Sequence, residues 1–166
     1  MGLFSKKDKK MTISEANELV YASLIEYTGW KFLKSQRCLR KTIDNIVFDI
    51  CFYSSKYSHS QEYIGINLEF EMWNKKFDKL CNVNSKIGYV FFKPENDEWY
   101  DISTEKQLNL VIDDLKNKIN EYVFPLIEYF ENDYSSAIIY LSKEENINKY
   151  NIKRFNTFDK MSKDNK

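Results

Sequence analysis

The chain has 166 residues, among them 25 Lys and Arg, 25 Asp and Glu, one His and three Cys, and 43% of it is hydrophobic and 16% aromatic. That length and aromatic content suit one folded domain and exclude a disordered chain. Zero formal net charge excludes a uniformly basic nucleic-acid binder, which needs surplus Lys and Arg to neutralise phosphates.

Residues 1–10 read as a polar basic tail. The start, Met1 to Lys10, is charged and lacks the apolar stretch of a signal peptide, and Lys6 stands where an N-myristoylation pattern wants Ser or Thr. No window approaches the 18 apolar residues of a membrane span, so the expected setting is cytoplasmic, with no membrane partner. Thr12-Ile13-Ser14-Glu15 then fits a capping box, and Ile13, Ala16, Val20, Leu24 and Tyr27 recur at helical spacing up to Gly29, a left-handed cap. Short strands are expected over Trp30–Lys34, Arg37–Ile43 and Asn45–Ser54, with a tight turn at Ile43-Asp44-Asn45-Ile46 because Asp and Asn tolerate positive φ.

The clearest strand is Glu62–Trp73. Ile64, Ile66, Leu68, Phe70 and Met72 point one way, and Gly65, Asn67, Glu69, Glu71 and Trp73 the other, which predicts one face on a core and one in water. An antiparallel sheet tolerates that arrangement. Lys86–Lys93 and Glu98–Ile102 read as further strands. From Thr104 the period turns helical through Leu108, Val111, Ile112, Leu115, Ile119 and Tyr122, with a break expected near Pro125. Ile127, Phe130, Tyr134, Ile138 and Leu141 continue the spacing, interrupted at Asn132-Asp133. A helix, a run of strands and then helices predict an α+β fold: a mainly antiparallel sheet of five to six strands with the C-terminal helices on one face. The expected organisation is a tail at 1–10, a single α+β domain at 11–142, and a second polar basic tail at 143–166, partly helical.

Cys38, Cys51 and Cys81 are odd in number and show no C-x-x-C spacing, so they read as reduced structural residues. The only histidine, His59, lies in a polar Ser58-His59-Ser60 loop, and neither a nucleophile elbow nor a phosphate-cradling glycine loop occurs. No cofactor is expected, and catalysis is the less favoured reading. The enzyme alternative is a divalent-metal hydrolase, nuclease-like, in which Glu69 and Glu71 on one strand face chelate Mg²⁺ with Asp97 or Asp101. A nucleic-acid reading would stack bases on Tyr63 and Trp73 or use Arg37, Arg40, Lys41 and the basic tails, against the repulsion of Glu69 and Glu71. RNA binding through the tails is therefore a second alternative.

Several words occur in a suggestive order: Gly29-Trp30-Lys31-Phe32, Lys56-Tyr57-Ser58, Ile64-Gly65-Ile66-Asn67-Leu68, Ile87-Gly88, Asp97-Glu98-Trp99-Tyr100 and Phe124-Pro125-Leu126. Together, over about residues 14–142, they resemble a bacterial family known as domain of unknown function 4304. The resemblance implies no established activity. It implies an immunity role, since some members are thought to lie near toxin genes.

Charge distribution points to a partner. Residues 1–10 and 143–166 each carry net +3, while 94–142 hold 11 acidic and 3 basic residues, net −8. A field this one-sided steers basic partners. Trp99 and Tyr100 lie inside the acidic block, where ringed aromatics serve either as binding anchors or as core anchors. The favoured reading is a non-catalytic protein-binding module, an immunity protein for a basic toxin being one form of it, with Asp97, Glu98, Trp99, Tyr100, Asp101, Asp113 and Asp114 as the candidate surface.

Overall fold

Thr12 starts helix α1 (Ile13–Thr28) through the expected capping box: its hydroxyl accepts from the Glu15 N–H, and its own N–H donates to Glu15 Oε2 at 2.9 Å. Gly29 ends the helix with φ 66°, the left-handed conformation that costs glycine least. The structure, a computed structural model, describes residues 8–75 and 86–152; Cys81 lies outside them. The chain divides into two compact units, and within the described residues the first comprises 8–29, 53–67 and 93–117 and the second 30–52, 68–75, 86–92 and 118–152.

Among the described residues six strands follow α1: β1 (Lys31–Leu33), β2 (Cys38–Ile43), β3 (Ile46–Ser54), β4 (Gly65–Asn74), β5 (Lys86–Phe92) and β6 (Tyr100–Asp101). They form an antiparallel sheet in the order β1-β2-β3-β4-β5, with β6 paired to the start of β4. Asp44 takes φ 52° in the turn between β2 and β3, as its small polar side chain allows. The fold class is the α+β arrangement that the element order implies.

In the second unit, register sorts the strands into two faces. Phe48 on β3 stacks with Phe70 on β4 at 6.4 Å and meets Phe130 edge-on at 5.3 Å, so one face is an aromatic core against the helices. Cys38, Arg40, Asp49, Cys51, Glu69, Glu71 and Trp73 lie on the opposite face, since side chains alternate along each strand.

Helix α2 (Glu105–Lys118) continues into a π-helical turn (Ile119–Val123), and then α3 (Phe124–Asn132). The break expected near Pro125 is one wide turn, after which a new α-helical segment starts with Pro125 in its first turn. Proline has no N–H for the Glu121 carbonyl, four residues back. Lys149 Nζ donates to that carbonyl instead at 3.0 Å, and the Tyr150 hydroxyl donates to the Tyr122 carbonyl at 2.9 Å. Asp133 ends α3 and caps α4 (Tyr134–Ser142), accepting from the Ser135 and Ser136 N–H groups.

Past Ser142 the chain is not simply a polar tail. Helix α5 (Glu144–Lys149) leads to Tyr150, which is fully buried, and to Ile152, also buried. The Tyr150 carbonyl accepts from Tyr89 N–H of β5 at 2.9 Å. This close approach is why position 88 is glycine: a Cβ there would meet the Tyr150 carbonyl oxygen at 2.6 Å and Met72 Cε at 3.0 Å. The packed chain therefore extends at least ten residues beyond the boundary expected at 142. Gly88→Ala should destabilise the protein by about 1–3 kcal/mol, because the obstacle is backbone and must move. Urea unfolding measures this, and hydrogen exchange should show the Tyr89 amide losing protection first.

Candidate functional site

The acidic surface of the first unit is organised by one buried aromatic. Tyr100 is buried on β6, and its hydroxyl donates a short hydrogen bond to Asp114 Oδ2 on α2. Burial, reinforced by that carboxylate, pushes the Tyr100 hydroxyl well above the ordinary phenol range. Tyr100 is thus a core anchor, and it fixes the segment before it. Trp99 is half-buried and Asp97 and Glu98 are exposed. Asp97 Oδ1 accepts from the Glu98 N–H at 2.7 Å, and Asn67 Nδ2 donates to the Glu98 carbonyl at 3.1 Å.

The remaining candidates separate by what holds them. Asp101 accepts from Ser103 N–H at 2.9 Å and Gln107 Nε2 at 3.1 Å, so its carboxylate braces the start of α2. Asp114 is engaged by Tyr100. Asp113 is exposed on α2. Asp97 and Asp101 both act on Tyr63, whose hydroxyl is raised first by burial and then by their charge. The surface available to a partner is therefore Asp97, Glu98, Trp99 and Asp113, with Tyr100, Asp101 and Asp114 supporting it.

The described residues of this unit hold twelve carboxylates against six lysines. No ion pair among the described residues involves Asp97, Glu98, Glu105 or Asp113. A groove of about 430 Å³ lies between α1 and α2, with Leu19, Ala22, Leu108 and Ile112 on its walls and Lys9, Glu26 and Glu105 among the residues lining it. Sequence reading missed this groove, because helical periodicity identifies a buried stripe but not a gap between two stripes.

The second unit overturns the expectation that the Glu69 face of β4 lies in water. Glu69 is only 4% exposed and Glu71 is intermediate. Both converge on Lys86 of β5, whose ammonium lies 2.6 Å from Glu69 Oε1 and 2.7 Å from Glu71 Oε2. Burial opposes the Lys86 charge, but the two hydrogen-bonded carboxylates outweigh it and hold the ammonium above the ordinary lysine range. A lysine thus sits where the hydrolase alternative places Mg²⁺. Asp97 belongs to the other unit and has the local contacts given above.

Beside this group, Arg40 holds Asp49 through two hydrogen bonds of 2.7 and 2.6 Å, and Trp73 Nε1 donates to Asp49 at 3.0 Å. Arg40 also lies over the Trp73 ring at 5.2 Å, and Lys41 pairs with Glu131. Arg40 and Lys41 are therefore internally neutralised, and Trp73 is tied down rather than offered to bases. His59 is exposed and shares an isolated bridge with Tyr63. Most of both basic tails, residues 1–7 and 153–166, lies outside the described residues. Among the described residues no helix is long and apolar enough to cross a membrane.

No family model, curated protein or solved structure matches the chain. Lys86→Met tests the electrostatics of the sheet face directly. It leaves two carboxylates together without their cation, at a cost of about 2 kcal/mol near neutral pH, below the fully buried case because Lys86 is partly exposed. Urea unfolding of both proteins near neutral pH measures the difference.

Proposed function

We propose that the protein is a non-catalytic binding module that captures a basic protein partner on the acidic surface of its first unit. One observation carries this reading: the carboxylates of Asp97, Glu98, Glu105 and Asp113 are exposed and lack ion pairs among the described residues, whereas Asp49, Glu69 and Glu71 of the second unit are each held by a cation. Uncompensated charge of one sign raises the encounter rate with a partner of the opposite sign. Half-buried Trp99 gives the surface an aromatic contact, and the α1–α2 groove offers apolar walls to a side chain of the partner.

Neutralisation of a toxin is the specific form of this reading. A toxin that acts on nucleic acid carries a basic phosphate-binding surface, which an acidic protein can cover. The hydrolase reading is disfavoured by Lys86, whose ammonium satisfies the carboxylates that a metal would need.

With the partner captured from the native cell, the combined variant Asp97→Lys, Glu98→Lys and Asp113→Lys should associate about tenfold more slowly at low ionic strength. The difference should fade as salt screens the field. Asp101 and Asp114 stay untouched because their replacement would disturb the fold. The control Glu128→Lys with Glu145→Lys, in the second unit, should leave the rate unchanged. Stopped-flow association over a salt series decides the matter, and equal slowing in both variants, or none in the first, would remove the proposal.

A further inference from the structure

Cys38 and Cys51, thirteen residues apart in sequence, are direct partners across β2 and β3. The adjacent pair, Arg37 and Phe52, is joined by a Phe52 N–H to Arg37 carbonyl hydrogen bond at 2.9 Å. Pairs alternate along an antiparallel ladder, so Cys38 and Cys51 form a non-hydrogen-bonded pair, the type that brings side chains closest. One ligand atom each from Cys38, Cys51 and Asp49 lies within 4.8 Å of the others. A tetrahedral zinc ion, with bonds of about 2.3 Å to sulfur and 2.0–2.2 Å to oxygen, needs only slightly shorter spacings.

We propose that Cys38, Cys51 and Asp49 form a binding site for a thiophilic divalent cation of the zinc class, with Glu71 as the fourth ligand. The site is built to hold its ligands. Asp49 is 2% exposed and is fixed by Arg40 and Trp73, the outer-layer support that orients a metal-binding carboxylate. Cys51 Sγ donates to Glu71 Oε1 at 3.6 Å, while Glu71 Oε2 stays with Lys86. Loss of the Cys51 proton on metal binding therefore releases Oε1 for coordination. The four residues line a pocket of about 350 Å³ together with Gln36, Arg40 and Trp73.

Charge and softness select the ion. Two thiolates and two carboxylates against a dication leave an excess of two negative charges, which Arg40 and Lys86, already bonded to those carboxylates, offset in large part, Lys86 being shared with Glu69. Thiolates disfavour Mg²⁺ and Ca²⁺, which prefer oxygen alone. Two protons leave as the ion binds, without any redox change. The site lies wholly in the second unit and does not depend on the partner-binding proposal.

The test uses the full chain, freshly reduced, with Zn²⁺ followed by calorimetry and Cd²⁺ followed by its thiolate charge-transfer absorption. One equivalent should bind, with the absorption band present. Cys38→Ser and Cys51→Ser should each lose at least about a hundredfold in affinity and the band with it, and Asp49→Asn about ten- to a hundredfold. Cys81→Ser should keep both. Binding retained in the Cys38→Ser, Cys51→Ser double variant, or reduced wild type that gives no cadmium–thiolate band, overturns the proposal. Far-ultraviolet circular dichroism of each variant separates lost binding from lost folding; if both cysteine variants unfold, retention of the band by Asp49→Asn at undiminished affinity also overturns it.

Discussion

The constraint on which the second unit depends is the buried charge of Asp49. A carboxylate at 2% exposure is tolerable only when its oxygens are occupied, and here the donors come from Arg40 on β2 and Trp73 on β4. The three strands are therefore bound to one register. A slip of a single residue would turn Asp49 toward the aromatic face and Phe48 toward the charged one, losing the pairing of both. The Phe48, Phe70 and Phe130 cluster supplies the apolar drive, but aromatic packing alone is forgiving of shifts. Ionic pairing at Asp49 removes that freedom.

The same face carries a second cation-centred group at Lys86, and the two behave alike: each places acidic residues of one strand around a basic residue of its neighbour. Between them lie the two thiols. Polar groups that would be expensive to bury singly are thus buried together, each satisfying its neighbour's desolvation. The polar face is accordingly half-buried, and its two cations are held by three carboxylates, which is why it makes a poor surface for a phosphate backbone.

What the sequence made legible was local. Thr12 and Glu15 sit three residues apart and cap one helix turn, Asp44 occupies a turn that tolerates positive φ, and the period-two run through Phe70 marks a strand. Each of these depends on neighbours within a few residues. Cys38 with Cys51, Glu71 with Lys86, and Gly88 with Tyr150 depend instead on cross-strand register or on the return of a distant segment, which spacing along the chain does not encode. The π-helical turn was hidden for a related reason. Proline signals that a carbonyl loses its donor, but only the return of Lys149 shows how that carbonyl is satisfied.

Zero net charge conceals two different uses of acidic residues. In the second unit Asp49, Glu69 and Glu71 are structural: each has a cation within bonding distance, and the two cations cancel most of their field locally. In the first unit Asp101 is also structural, but its donors are the Ser103 amide and the Gln107 side chain rather than a cation. An acidic residue that serves the fold there adds its charge to the field around Asp97, Glu98 and Asp113. Satisfying that carboxylate with amides rather than a lysine lets one side chain brace the start of α2 and keep the surface negative.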